Sequence, residues 1–243
     1  MRKLSFFIFA FLCVQASYSL EPPETLKGFL EKGKEGDFIV TESMKVFTLI
    51  RIRPSDGETL VLEEISASSK NLPKEPWEEW LKKKAPGHSS WSIVEISLND
   101  GKILECYSFS KNSLVQLSRQ ESLLATLLFQ PLKEIPSDKQ KKVGPPPAEG
   151  EADFRKPWSP PFIFEGKKVE GAKFDVRQTT WPEDGSEIGG REVTFYFDQE
   201  KKIPLPIWIE VETSHITGKI RVIDSGKGLR SPLRRSPKRT QLN

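Results

Sequence analysis

Cysteine and histidine are nearly missing from this chain: two of each among 243 residues, Cys13 and Cys106, His88 and His215. Cys13 lies in a leader-like start, which leaves Cys106 as the single thiol of the remainder and excludes an internal disulfide there. Two histidines and one thiol cannot supply a zinc site of usual ligand spacing, so no metal is expected. Phosphate-cradling patterns are missing too. "DSGKGLRSP", residues 224–232, is glycine-rich but fits neither the P-loop nor the dinucleotide fingerprint, and no cofactor is expected. No stretch of 18 apolar residues follows the leader, and the leader's own run falls short of the roughly 20 residues a bilayer needs.

What is present at the start is Arg2 and Lys3, an apolar run over residues 4–14, then Ser17 and Ser19 ahead of Glu21-Pro22-Pro23. That order predicts a cleavable signal peptide over residues 1–19 and export to the periplasm or extracellular space. Phe11-Leu12 before Cys13 are not the small residues a lipidated cysteine requires, so a lipoprotein is the minor reading. The net charge of +3 is unevenly spread: Lys227, Arg230, Arg234, Arg235, Lys238 and Arg239 stand in a terminal stretch without acids, and the remainder of the mature chain is acidic. With three leucines and two Ser-Pro steps, residues 225–243 are expected to form a basic disordered tail contributing little to stability. The tail is a candidate to contact an anionic membrane surface, weighed against a solvated terminus with no partner; nucleic acid is disfavoured as a partner.

Residues 45–53, "KVFTLIRIR", alternate as a strand does, turn at Pro54-Ser55-Asp56-Gly57, and return as "ETLVLEEIS". Helical spacing appears at residues 25–32, at 74–87 (Trp77, Trp80 and Leu81 on one face) and at 118–130, where Ser118 and Glu121 have capping-box spacing. Residues 131–161 are proline-rich with few aliphatics and read as an extended connection. Strands follow near 173–181, 191–197, 206–212 and 219–223. The expectation is an α+β fold: a mostly antiparallel curved sheet or half-barrel with two or three helices. It divides into a first half over 20–130, the connection, and a β-rich second half over 162–224.

Cys106 and His88 are the candidates for a nucleophile and its base. Asn99-Asp100-Gly101-Lys102 can close their hairpin through a two-residue turn, placing Cys106 opposite Glu95, or through a Gly101 bulge, placing it opposite Val94. Either register leaves His88 about six residues away, about 20 Å of extended chain at ~3.3 Å per residue. A dyad needs about 3 Å. A buried structural cysteine is therefore favoured over a nucleophile. His215 reads as a turn histidine, and Glu183, Asp184 and Glu187 as a polar turn rather than a calcium loop. Glu63-Glu64 and Glu78-Glu79 are neighbours whose side chains diverge, so neither is an acid/base couple. Six tryptophans and fifteen phenylalanines suffice for a sizeable core. Trp77, Trp80, Trp91 and Trp208 are candidates to line a site for a lipid or other apolar ligand, against the plainer reading that they are core.

The runs "PGHSSW", "LECYSFSK" and "DSGKGLRSP" together resemble an uncharacterised family of exported proteins from chlamydia-like intracellular bacteria. The resemblance implies a Gram-negative envelope setting and transfers no catalytic residue. At the level of architecture alone the body is similar to periplasmic lipoprotein carriers, a half-open barrel lidded by helices. The expected function is a non-catalytic exported envelope protein that binds an apolar ligand or another envelope component. The alternatives are a cysteine-dependent hydrolase or transferase using Cys106, and an effector delivered into a host cell.

Overall fold

A computed structural model describes residues 24–212 and 217–233. The expected signal peptide, His215 and the last four basic candidates (Arg234, Arg235, Lys238 and Arg239) lie outside those residues. The first run of strands is β1 (Phe38–Ser43), β2 (Val46–Ile52), β3 (Thr59–Ser68), β4 (His88–Ser97), β5 (Ile103–Ser108) and β6 (Ser113–Leu114). After short pieces β7 (Lys133–Glu134), β8 (Ile163–Phe164) and β9 (Lys167–Lys168), a second run follows: β10 (Phe174–Thr180), β11 (Glu192–Asp198), β12 (Trp208–Glu212) and β13 (Thr217–Gly226). Each run is an antiparallel meander. They join because β13 pairs with β1, giving one eleven-stranded sheet in the order β6-β5-β4-β3-β2-β1-β13-β12-β11-β10-β7. The sheet is open, with β6 and β7 at its ends.

Strand alternation sends successive side chains to opposite faces, so the sheet carries two apolar layers. On one face Ile39, Leu62, Val94, Cys106, Phe195 and Ile209 join a core with α1 (Leu26–Leu30) and α3 (Leu123–Leu127). Phe29 of α1 stacks on Phe197 of β11 with ring centroids 3.9 Å apart. On the other face Phe38, Val40, Phe47, Leu49, Ile65 and Trp91 pack beneath α2 (Trp77–Lys82), whose Trp80 and Leu81 are buried.

The mostly antiparallel sheet expected is present, and the protein is largely β with minor helices. The helical stripes expected at 25–32 and 118–130 shorten to five residues each. In the second, Glu121 caps the 3-10 turn Arg119–Glu121 by accepting from the Ser118 backbone N–H at 2.6 Å. The chain then leaves helical geometry at Ser122, whose hydroxyl accepts from the Ala125 N–H and starts α3 afresh.

The β4–β5 hairpin takes the bulged register. Gly101 has φ +72° and Cys106 stands opposite Val94.

Residues 226–233, the described start of the stretch expected to be a tail, are docked on the fold. They lie over β2 and β3, with Leu229 buried and its N–H bonded to the Gly36 carbonyl at 2.9 Å. The approach is close: a Cβ on Gly36 would meet Gly228 Cα at 2.7 Å, and Gly36 itself has φ +86°. What holds this segment is polar and distant in sequence. Arg51 Nε donates to the Leu229 carbonyl, Arg53 Nη2 to the Leu233 carbonyl at 3.0 Å, and the Ser231 hydroxyl to Glu63 Oε1 at 2.7 Å.

Candidate functional site

β3 carries the two adjacent acids that decide the chemistry of the interior. Glu63 points to the α2 face and is fully buried. It accepts from Arg51 Nη1 (3.2 Å), Arg53 Nη1 (3.1 Å), Trp91 Nε1 (2.9 Å) and Ser231 Oγ. Its charge is thus met on every side, and the arrangement is structural.

Glu64 points to the α3 face, where it sits in a row across the sheet with Ile39, Ile50, Ser92 and Ser108. Among the described residues nothing hydrogen-bonds or ion-pairs with its carboxylate. It lines a cavity of about 230 Å³ between the sheet and the 117–124 segment. The remaining walls are Ile39, Ile50, Val94, Leu117, Leu123, Leu124, Leu205, Pro206, Ile209 and Ile220, with Thr41, Thr48, Glu121 and Ser122. Glu64 keeps some accessible surface because the cavity reaches it, yet burial under the fold pushes its carboxyl above the ordinary carboxylate range. The two threonine hydroxyls of the cavity are committed elsewhere: Thr48 Oγ1 pairs with Ser66 Oγ at 2.9 Å, and Thr41 Oγ1 donates to the Thr48 carbonyl.

The sheet separates Cys106 from His88. Cys106 lies in the α3-face core, its thiol pushed up by burial and then by the negative charges of Glu64 and Glu105. His88 lies on the α2 face, its Nδ1 2.8 Å from the Ala85 carbonyl and its ring edge-on to Trp91. A nucleophile and base on opposite faces cannot exchange a proton directly.

The four tryptophans do not share a site. Trp80 and Trp91 are core residues of the α2 face. Trp77 packs against Phe47 and Trp80, donates to Asp224 Oδ2 at 2.6 Å, and edges a surface groove with Leu72 and Ile163. Trp208 lies on β12 against Trp158, whose ring also carries Lys141 Nζ at 4.7 Å. Of the basic candidates, Lys227 and Arg230 are exposed on the docked terminal segment. Among the described residues no three His, Cys, Asp or Glu side chains are placed to hold a metal ion, and no helix is long and apolar enough to cross a membrane.

Sequence reasoning weighed Glu63-Glu64 only as an acid/base couple, and missed both the cavity at Glu64 and the Arg51–Glu63–Arg53 cluster. The signal was present in "LIRIR" and "LVLEEIS": charges at the centre of strands whose flanks are apolar on both faces.

A family model described as CT021 protein matches residues 48–170, which include "PGHSSW" and "LECYSFSK". Among solved structures, the hypothetical protein CT021 from Chlamydia trachomatis is similar, with TM-score 0.62 and 17% identity over 88% of this chain and 98% of that chain. At that identity the likeness shows the fold alone. No curated protein matches this chain.

Proposed function

The chain belongs to the CT021 family, and from that premise and the geometry of its interior we propose an exported, non-catalytic protein that binds a small apolar ligand. The observation that carries this reading is the cavity beneath α3, walled by ten apolar side chains at the centre of the sheet. At about 230 Å³ it is smaller than the ~300–1,000 Å³ of drug-sized sites, so it suits a small molecule or one end of a longer one. The separation of Cys106 from His88 weighs against the cysteine hydrolase or transferase alternative.

Export rests on the charged start, the apolar run and the Ser17-x-Ser19 pattern. Both parts are tested on one preparation. The full chain is expressed in a Gram-negative host, recovered from the periplasm, denatured, and extracted for mass spectrometry. The mature protein is expected to begin near Leu20 and to release a stoichiometric apolar molecule, whereas Ile209→Trp, which fills the cavity, releases none. Material that still begins at Met1 removes the export reading. Equal release from both proteins removes the cavity as the binding site.

A further inference from the structure

We propose that the cavity beneath α3 takes a ligand that joins an apolar body to a protonated amine, with Glu64 as its counter-charge. This rests on the reading of that cavity as a ligand site and adds the chemical class. Two carboxyl side chains line it, Glu64 deep on β3 and Glu121 on the covering segment, and no lysine or arginine does. Glu121 is already engaged by the Ser118 N–H. Glu64 has no described partner, and the cavity's Thr41, Thr48 and Ser122 hydroxyls are bonded to the Thr48 carbonyl, to Ser66 Oγ and to the Ala125 N–H. An unpaired carboxylate facing an apolar cavity is a high-energy arrangement that an ammonium group entering with the ligand would neutralise. A fatty carboxylate would instead set like charges together. An alcohol would offer one hydrogen bond from an uncharged donor and leave the carboxylate's charge uncompensated, which is the weaker interaction.

The remaining ionisable groups near Glu64 do not substitute for the amine. Cys106 on β5 is a thiol pushed further toward its neutral form, and Arg119, on the covering segment, is held by the Ala125 and Thr126 carbonyls. The inference therefore concerns charge selectivity at one wall of the cavity. It needs no movement of the fold.

Three ligands with the same six-carbon body separate the possibilities: hexylamine, hexan-1-ol and hexanoate, titrated calorimetrically into the full mature chain. The titrations are run near pH 8 in about 150 mM salt, which screens exposed acids. Hexylamine is expected to bind about tenfold or more tightly than hexan-1-ol, as an ammonium neutralises the buried carboxylate while a hydroxyl does not, and hexanoate least. In Glu64→Gln, with folding verified by circular dichroism, hexylamine and hexan-1-ol are expected to bind alike. If the wild type binds hexan-1-ol as well as hexylamine, the amine inference falls and the apolar-ligand reading stands. If none of the three binds, both fall. A hexylamine preference that survives in Glu64→Gln also overturns the proposal, since the counter-charge then lies elsewhere. The wild-type comparison alone decides between amine and alcohol should the variant not fold.

Discussion

Glu63 and Glu64 are adjacent, chemically identical, and held in opposite circumstances by the two-residue period of β3. The first meets two guanidinium groups, an indole N–H and a hydroxyl; the second meets apolar walls. Their divergence is legible in the sequence, because neighbours on a strand must face opposite sides. Which one finds partners is not, since Arg51, Arg53 and Ser231 come from other parts of the chain. The difference has a measurable sign. Burial raises the Glu64 carboxyl above its ordinary 4.5, so above that value the folded protein holds a proton that the unfolded chain has released. Stability then falls as pH rises from 4.5 through the folded value, and below 4.5 the group makes no difference. Glu64→Gln removes this decline. In urea denaturation the variant is expected to exceed the wild type by about 1 kcal/mol near pH 8, the scale of one unsatisfied buried polar group, and to match it near pH 4. Cys106, raised mainly by burial, stays neutral over most of that range and does not mask the effect. A difference between the two proteins that does not change with pH would mean that Glu64 titrates as an exposed carboxyl does.

At the scale of elements, what the sequence reveals and what it hides divide along contact range. "KVFTLIRIR" alternates locally and becomes β2; the Pro76-to-Gly87 stretch caps and stops α2 with its own residues. The Gly101 bulge likewise follows from a four-residue turn. The terminal segment defeats the same reasoning, because its composition is that of a disordered tail while its anchors are on β2, just past its end, and on β3, 168 to 180 residues away. Leu229 and Leu233 contribute few apolar atoms; Arg51 and Arg53 contribute donors that need acceptors. A chain ending at Gly228 therefore loses more than a leucine. It leaves Arg51, Arg53 and Glu63 with two carbonyls and a hydroxyl fewer, and it uncovers the α2-face cluster beside Phe38. The ion pairs of Glu63 remain, so the expected cost is that of lost hydrogen bonds to charged groups, ~1.5–3 kcal/mol. A chain ending at Leu233 keeps every one of these contacts and is expected to lose no more than about 0.5 kcal/mol, as surface changes do. Urea midpoints for the two truncations test this directly. Equal midpoints would return residues 229–233 to the status of a solvated end.

For the whole molecule, the pairing of β1 with β13 turns two local meanders into one structure. The sequence shows the two runs of strands and the proline-rich stretch between them, yet it gives no means of knowing that the first and last strands meet. The junction is well populated: Phe38 stands opposite Gly226, Ile39 opposite Ser225 and Val40 opposite Asp224. Asp224 ties three parts of the chain together, accepting from Trp77 Nε1 through Oδ2 and from the Gly166 N–H through Oδ1. The α3-face core runs across the junction, since Leu62 and Val94 of the first run share it with Phe195 and Ile209 of the second. Neither meander can therefore open without exposing the core of the other, and independent unfolding of the halves would forfeit the burial that stabilises both. One cooperative transition is expected. Hydrogen exchange read by mass spectrometry at rising urea, under conditions where exchange reports opening, follows peptides from β3–β4 and from β10–β11 separately. The two sets are expected to lose protection at the same urea concentration, with the same steepness. If β3–β4 opens at a clearly lower concentration than β10–β11, the β1–β13 junction is a weak seam and the halves are separate folding units.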